Sequence, residues 1–403
     1  MERVNWMGLS LLLDWAELVV RWTHVVAAIA WIGASFYFVA LDAGLKPQAR
    51  LGPGVRGEAW QVHGGGFYQM RKYLVAPEFM PPDLTWFKWE AYSTWIFGFL
   101  LLLLVYYLHP GLYLIDPAVA RLSGVEADAI GLGSLVLGWL VYNRLCRSRL
   151  GAKTLHLAVA GFGLLIVAAF GYTHVFGGRG AFLHVGALVG TIMAANVAMV
   201  IIPNQRRVVA DLIAGKTPDP ALGAEAKQRS LHNNYLTLPV VFTMISNHYA
   251  FTFQGRWNWL LLIAVFISGF LIRHWFNVRH SGARPDWRLW PAAALPVLAC
   301  VALTIRQQAP APATAPPARF AAVEQVIATR CHTCHAAHPS FEGFSGPPKG
   351  IMFDTPAEIV SLAPSIYQQA VTTRAMPLGN LTGITEDERQ VIAAWFDHGA
   401  GEE

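Results

Sequence analysis

The feature that most constrains this chain is a succession of long apolar stretches that fills most of residues 10–305. A helix needs about 20 mainly apolar residues to cross a bilayer. Eight stretches approach that length, near 16–41, 91–109, 130–146, 155–176, 181–202, 235–253, 257–278 and 288–305. The sequence therefore predicts an all-α protein, in which a polytopic membrane helical bundle of about eight transmembrane helices precedes a small C-terminal domain.

Lysine and arginine are unevenly distributed over the connections between these stretches. The connections 42–90, 144–154, 203–234 and 279–288 hold 18 of them, whereas the alternate connections hold only Arg121, Arg179 and Arg256. Positive charge favours the cytoplasmic side of a membrane protein. Eight crossings then place both termini outside the cytoplasm. The net charge of +5 is explained by these basic connections and needs no nucleic-acid partner. We therefore predict that the chain is embedded in a lipid bilayer and does not bind nucleic acid.

The composition changes near residue 305 and indicates three regions. Residues 1–305 form the predicted transmembrane domain, and 306–318 are rich in alanine and proline. Such a composition favours an extended, semi-rigid linker. Residues 319–403 have the composition of an ordinary soluble domain.

A short motif in the third region, CHTCH at residues 331–335, carries recognisable chemistry. The C-x-x-C-H spacing is the attachment signature of haem c. Cys331 and Cys334 would bond covalently to the haem, and His335 would ligate its iron. A zinc site is the alternative reading, for which His338 offers a third ligand and no fourth is obvious. We therefore predict one covalent haem c.

The surroundings of the motif resemble the class I cytochrome c family. Phe320, Val323 and Ile327 share a helical face before the motif. Near the chain's end, Thr385 and Glu388 have the spacing of a capping box. The resemblance implies a methionine as the second iron ligand, and the sequence offers two candidates, Met376 in TRAMPLGN and Met352. The Met-Pro pattern favours Met376.

Five histidines fall in or near the outer halves of the predicted spans, where ionisable groups are costly and usually functional. Imidazoles from facing helices can hold haem b, so we predict that some of these histidines bind a haem b in the membrane: His24, His109, His174 and His184. The fifth, His248, follows Asn247 in a polar stretch that suits a planar, polar small molecule. These two residues are our candidates for catalysis.

Several stretches together resemble the bacterial membrane-bound urate oxidases. They are RWTHVVAAIAWIGASFYFVALD (21–42), KWEAYSTWIFGFLLL (88–102), the segment around Asn196, and LHNNYLTLPVVFTMISNHYA (231–250). The resemblance implies oxidation of urate to 5-hydroxyisourate in purine catabolism, at the bacterial inner membrane. Electrons would pass to a periplasmic cytochrome c domain, then to a respiratory cytochrome oxidase or a soluble cytochrome. The pattern H-x(6)-W-x-G from His24 is also similar to bacterial protoporphyrinogen oxidase relatives, which bind haem.

Two other functions fit the same features. The chain could be a tethered cytochrome c that transfers electrons for another membrane complex, or a quinol dehydrogenase fused to a cytochrome. Reduction of the haem by urate would separate both from a urate oxidase.

Overall fold

The computed structural model describes residues 2–308, 318–341, 344 and 346–402. Residues 2–308 form ten α-helices and one β-hairpin. In chain order the helices are α1 (Glu2–Gly44), α2 (Trp89–Leu102), α3 (Pro110–Tyr113), α4 (Gly124–Arg147), α5 (Thr154–Thr173), α6 (Gly178–Ala195), α7 (Ile202–Ile213), α8 (Pro220–Ser246), α9 (Asn258–His280) and α10 (Leu289–Gln308). Two π-helical turns, Leu103–Tyr107 and Asn196–Ile201, extend α2 and join α6 to α7.

Seven helical segments within the described residues are long and apolar enough to cross a membrane. They match seven of the eight predicted stretches. The eighth, 235–253, corresponds to the second half of α8, a 27-residue helix that begins at Pro220 and ends at Ser246. The boundaries were wrong because the polar first half of α8 continues the helix, and because 250–252 form a separate 3₁₀ turn.

Helix α8 runs through the bundle in spite of its polar residues. It packs against α6 and α9, and at 1.5 Å per residue it is about 40 Å long. Its buried side chains include Asn233, Asn234, Thr237 and Arg229. Polar groups of this kind are tolerated inside a bundle where they find partners.

The polar side chains at the first half of α8 form one buried network. Arg229 donates to Asn196 (3.3 Å) and Asn143 (2.9 Å). Asn196 donates in turn to Asn233 (2.9 Å) and to the Tyr142 hydroxyl (3.1 Å). This network accounts for Asn196 and Asn233 of the quoted stretches, and neither residue is in the described lining of the cavity presented below.

The connection between α1 and α2 contains the hairpin, which the all-α prediction missed. Strand β1 (Val55–His63) pairs antiparallel with β2 (Gly66–Tyr73). The carboxylate of Glu58 is buried beneath it and receives hydrogen bonds from Trp60 (3.1 Å) and Gln69 (2.6 Å). Arg50 and Arg71 also pair with that carboxylate. The chain is therefore mainly helical with one small, ion-paired sheet.

The described part of the C-terminal region forms a second helical body with its own apolar core. Its helices are α11 (Phe320–Arg330), α12 (Pro356–Ser361), α13 (Ala363–Ile366), which a π turn at Tyr367–Thr372 continues, and α14 (Glu386–Asp397). The predicted face of α11 is buried against α14, and the capping box of Thr385 and Glu388 is present. Helix α10 reaches Gln308, so part of the predicted linker is helical; its residues 309–317 lie outside the described chain.

Candidate functional site

The CHTCH motif begins where α11 ends. The Cys331 backbone N–H still bonds to the Ile327 carbonyl (2.8 Å), and the Cys331 carbonyl then accepts from Cys334 (3.1 Å) and His335 (2.9 Å). These turn-like bonds place both thiols and the imidazole on one compact turn. Burial raises the pKa of the Cys331 thiol to about 12, and burial also raises the pKa of Cys334. Both cysteines are free thiols.

The imidazole of His335 is fixed on two sides. Its Nδ1 lies 3.0 Å from the Ile351 carbonyl oxygen, and its ring packs on Phe353 at 5.1 Å between centroids. The Phe353 N–H also donates to the His335 carbonyl (2.9 Å). Among the described residues Nε2 has no hydrogen-bond partner. An Nδ1–carbonyl bond that leaves Nε2 free is the usual arrangement of an iron-binding histidine, so the donor set fits haem c.

The two candidate methionines lie in different surroundings. The Met376 N–H donates to the Gln369 carbonyl (3.0 Å), and its own carbonyl accepts from Arg389 (3.0 Å). Residue 376 lines a large cavity, whereas Met352 is not among that cavity's described lining residues. As for the zinc reading, no group of three or more His, Cys, Asp or Glu side chains placed to hold a metal ion occurs among the described residues.

The cavity has a volume of about 820 Å³ and lies between the helix bundle and the C-terminal body. The bundle contributes the ends of α5 and α8 and the starts of α6 and α9, so these helices alternate in direction. The polar lining from the bundle comprises Tyr113, Asp116, Thr173, His174, Arg179, Asn247, His248, Tyr249, Gln254, Arg256 and Asn258. The polar lining from the C-terminal body comprises Lys349, Gln368, Gln369, Thr373, Arg374, Asn380, Glu386 and Arg389.

The structure brings four of the predicted site residues to this cavity, Met376 from the C-terminal body and three from the bundle. Asn247 and His248 lie where α8 ends, and His174 lies where α5 ends, its Nδ1 2.7 Å from the Phe170 carbonyl oxygen. His248 and His174 are exposed, and Asn247 is half-buried. The Tyr106 hydroxyl donates to the Asn247 side-chain oxygen (3.2 Å). These side chains are available to a molecule in the cavity.

The other three histidines lie apart from the described cavity lining. Both ring nitrogens of the buried His184 are engaged, with the Tyr107 hydroxyl (2.9 Å) and the Gly180 carbonyl (2.8 Å). His24 places Nδ1 2.9 Å from the Thr94 carbonyl oxygen, and His109 is an exposed residue just before α3. Their role as ligands of a haem b stays a prediction.

The sequence interpretation did not single out Arg179, which the cavity makes prominent. Helix α6 begins with the residues GRG, and the glycines on either side let the backbone approach its neighbours closely. A Cβ at position 178 would overlap the Phe253 carbonyl, and one at position 180 would lie 2.9 Å from the Tyr113 carbonyl oxygen. Arg179 was identifiable from the sequence as one of only three basic residues in the outer connections.

Fold and cavity together define a class of protein, a bundle of long apolar helices with a charged cavity at one end, between the bundle and a small helical body. The family profile described as urate oxidase N-terminal matches residues 10–305, which include all of the bundle except the start of α1 and the last three residues of α10. The chain therefore belongs to this family, and membership indicates an oxidoreductase with a urate-related function. Neither a curated protein nor a solved structure matches the chain.

Proposed function

We propose that this protein oxidises urate to 5-hydroxyisourate and passes the electrons to haem c in its C-terminal body, rather than directly to oxygen. The observation that carries the proposal is the shared cavity. One wall belongs to the urate oxidase N-terminal domain, and the other contains Met376, three residues before a backbone contact with the bundle. A substrate in the cavity would lie beside both.

The C-terminal body, residues 319–403, would be the cytochrome c domain. Cys331 and Cys334 would attach the haem, and His335 and Met376 would ligate its iron. When bound, haem c supplies an acceptor of one electron at a time, with a potential raised by the His/Met ligand pair. The chain's contribution is to hold the imidazole through Ile351 and to fix the backbone of Met376 through Arg389.

The reaction requires water as the oxygen source. Urate and one water molecule give 5-hydroxyisourate, two protons and two electrons. An imidazole in hydrogen-bond reach is a common general base for such a proton, and His248 and His174 are the imidazoles at the cavity. Asn247 would hydrogen-bond the substrate. The electrons would leave in succession to a respiratory cytochrome oxidase or a soluble cytochrome.

The location follows from charge and chain direction. If α8 crosses with the seven apolar segments, the cavity end faces the periplasm, because the opposite end carries 18 of the 21 Lys and Arg of the predicted connections. Periplasmic exposure suits haem c attachment, which takes place outside the cytoplasm. The protein would then be a multi-pass component of the bacterial inner membrane.

The proposal is tested by adding urate to the purified, oxidised holoprotein without oxygen. We expect the haem c absorption bands to change to those of the reduced form, with one urate consumed for every two haems reduced, because each haem c accepts one of the two electrons that urate releases. In turnover with an electron acceptor, oxygen from labelled water should enter the product and no peroxide should accumulate. Stoichiometric peroxide with the haem left oxidised would contradict the proposal. Reduction by a quinol but not by urate would instead favour a quinol dehydrogenase.

A second prediction distinguishes the two methionines. Met376→Ala should lower the reduction potential of the haem and remove its weak near-infrared sulfur-to-iron band, because a thioether ligand favours the ferrous state. Met352→Ala is the matched control and should change neither. Redox titration and near-infrared spectra of the two variants decide the assignment, and the reverse pattern would transfer the ligand to Met352.

A further inference from the structure

The cavity carries an excess of positive charge. Its described lining contains the basic residues Arg179, Arg256, Lys349, Arg374 and Arg389, against the acidic residues Asp116 and Glu386. Glu386 is already paired with Arg374 at 2.7 Å, and Arg389 donates to the carbonyls of Ala370 and Met376. Because low-dielectric walls concentrate such a field, the cavity favours an anion.

Arg179 is the basic residue best placed to hold that anion. Its guanidinium carbon lies 5.3 Å from the Tyr113 ring centroid and 6.0 Å from that of Phe253. It donates one hydrogen bond, to the Asn247 carbonyl (3.2 Å), and no carboxylate of the described residues pairs with it. A guanidinium has five donors in a planar fork. Most of the fork is therefore free for a planar, negatively charged ligand.

Gln254, next to Phe253 in the chain, offers a complementary group. It lines the same cavity, and its Oε1 is buried without a hydrogen-bond partner among the described residues. A buried acceptor without a partner is costly, and an N–H of a ligand would satisfy it. A ring that has an N–H beside a carbonyl or an anionic oxygen presents a donor for Gln254 and an acceptor for Arg179 on the same edge.

The opposite wall is held in place by a close backbone contact. Gly379 has φ +54°, and a Cβ there would lie 3.0 Å from the Ile115 carbonyl oxygen and 3.1 Å from that of Gly111. The Leu381 side chain also reaches Gly111, at 3.7 Å from an added Cβ. Met376 precedes this contact by three residues. The C-terminal body is therefore docked on the bundle, and the cavity is composite.

We infer that Arg179 and Gln254 bind the substrate as a planar anion of the urate class within this composite cavity, beside the wall that carries Met376. The inference rests on the proposed function and specifies its binding residues. Electrons then pass from the bound substrate to the docked body without crossing the bundle. Arg179 neutralises the anion, Gln254 receives a ring N–H, and Asn247 is oriented by the bond that its carbonyl accepts.

The test separates binding from turnover. The full-length holoprotein is reduced with dithionite, so that it cannot oxidise its ligand, and the binding of radiolabelled urate is measured by anaerobic equilibrium dialysis. Arg179→Gln should raise the Kd about tenfold or more, since a charge-assisted bidentate pair is lost. Arg179→Lys should recover part of the affinity, and Gln254→Leu should weaken binding independently. In turnover, KM should rise more than kcat falls.

Arg121→Gln is the matched control, because it removes an exposed outer arginine that is not in the described cavity lining. It should bind urate as the parent protein does. Haem content and reduction by ascorbate, measured for each variant, report whether the protein is intact. Unchanged affinity in both Arg179→Gln and Gln254→Leu would overturn the inference, as would a parent protein that binds no urate. Arginine-dependent binding without urate-driven haem reduction would uphold the site and refute the proposed reaction.

Discussion

Replacement of both Cys331 and Cys334 by alanine is expected to remove covalently bound haem and to abolish urate-dependent electron transfer. Both thiols belong to one turn at the end of α11. Thioether bonds to these two sulfurs attach haem c irreversibly. His335 alone would retain at most a dissociable haem. Haem staining after denaturing electrophoresis, with the mass of the intact protein, measures the loss directly.

Cys300→Ala provides the control for this experiment. Cys300 is a free thiol too, but it is buried and lies on α10, outside the motif. This variant should keep its covalent haem and its urate oxidation. Covalent haem that persists after both motif cysteines are removed would refute the attachment site.

Gly379→Ala is expected to reduce the rate of urate-driven haem reduction by about tenfold, because the docking contact must open by a few tenths of an ångström and a misplacement of about 1 Å can cost about a hundredfold. The added Cβ would meet two backbone carbonyl oxygens of the bundle at about 3 Å, and backbone atoms cannot turn aside as a side chain can. The C-terminal body would be displaced slightly from its docked position. Stopped-flow spectra with urate, compared with ascorbate as a small reductant, measure the effect.

Gly383→Ala controls for backbone strain. Gly383 lies in the same loop with φ +66°, but an added Cβ would meet only a guanidinium nitrogen of Arg330, at an ordinary 3.8 Å. Both substitutions carry the cost of a non-glycine residue at positive φ, and only one blocks docking. Equal losses in the two variants, or an equal loss of the ascorbate reaction, would show that docking is not the cause.

The long apolar helices were predictable from the sequence because each one satisfies a length and composition rule by itself. The start of α8 was not predictable, because its polar residues are buried only through hydrogen bonds to residues of other helices, such as Asn143 and Asn196. The hairpin was missed although His63-Gly64-Gly65-Gly66 is a turn signal between two suitable strands. The basic residues of the connection 42–90 instead favour a charged loop.

The residues of the candidate site likewise include some that the sequence could predict and some that it could not. The haem motif is local, so its residues could be named from spacing alone. Depth along a span could also be estimated, and it grouped His184 with His174 and His248. The direction in which each side chain points could not be predicted, because it depends on packing. His184 turns inward to Tyr107, whereas His174 and His248 reach the cavity. Arg179 and Gln254 line one cavity with the C-terminal body only in the folded chain.

The π turn at Asn196–Ile201 determines the directions in which side chains at the two ends of one long helical rod point. Residues 178–213 form a continuous rod of 36 residues, and a π turn adds one residue to an α-helical path. At 3.6 residues per turn, that residue rotates everything beyond it by about 100°. Arg179 can therefore point to the cavity while Asn204 points to Glu225 (2.9 Å) at the other end. One extra residue therefore sets the rotation of the cavity end of this helical rod relative to its opposite end.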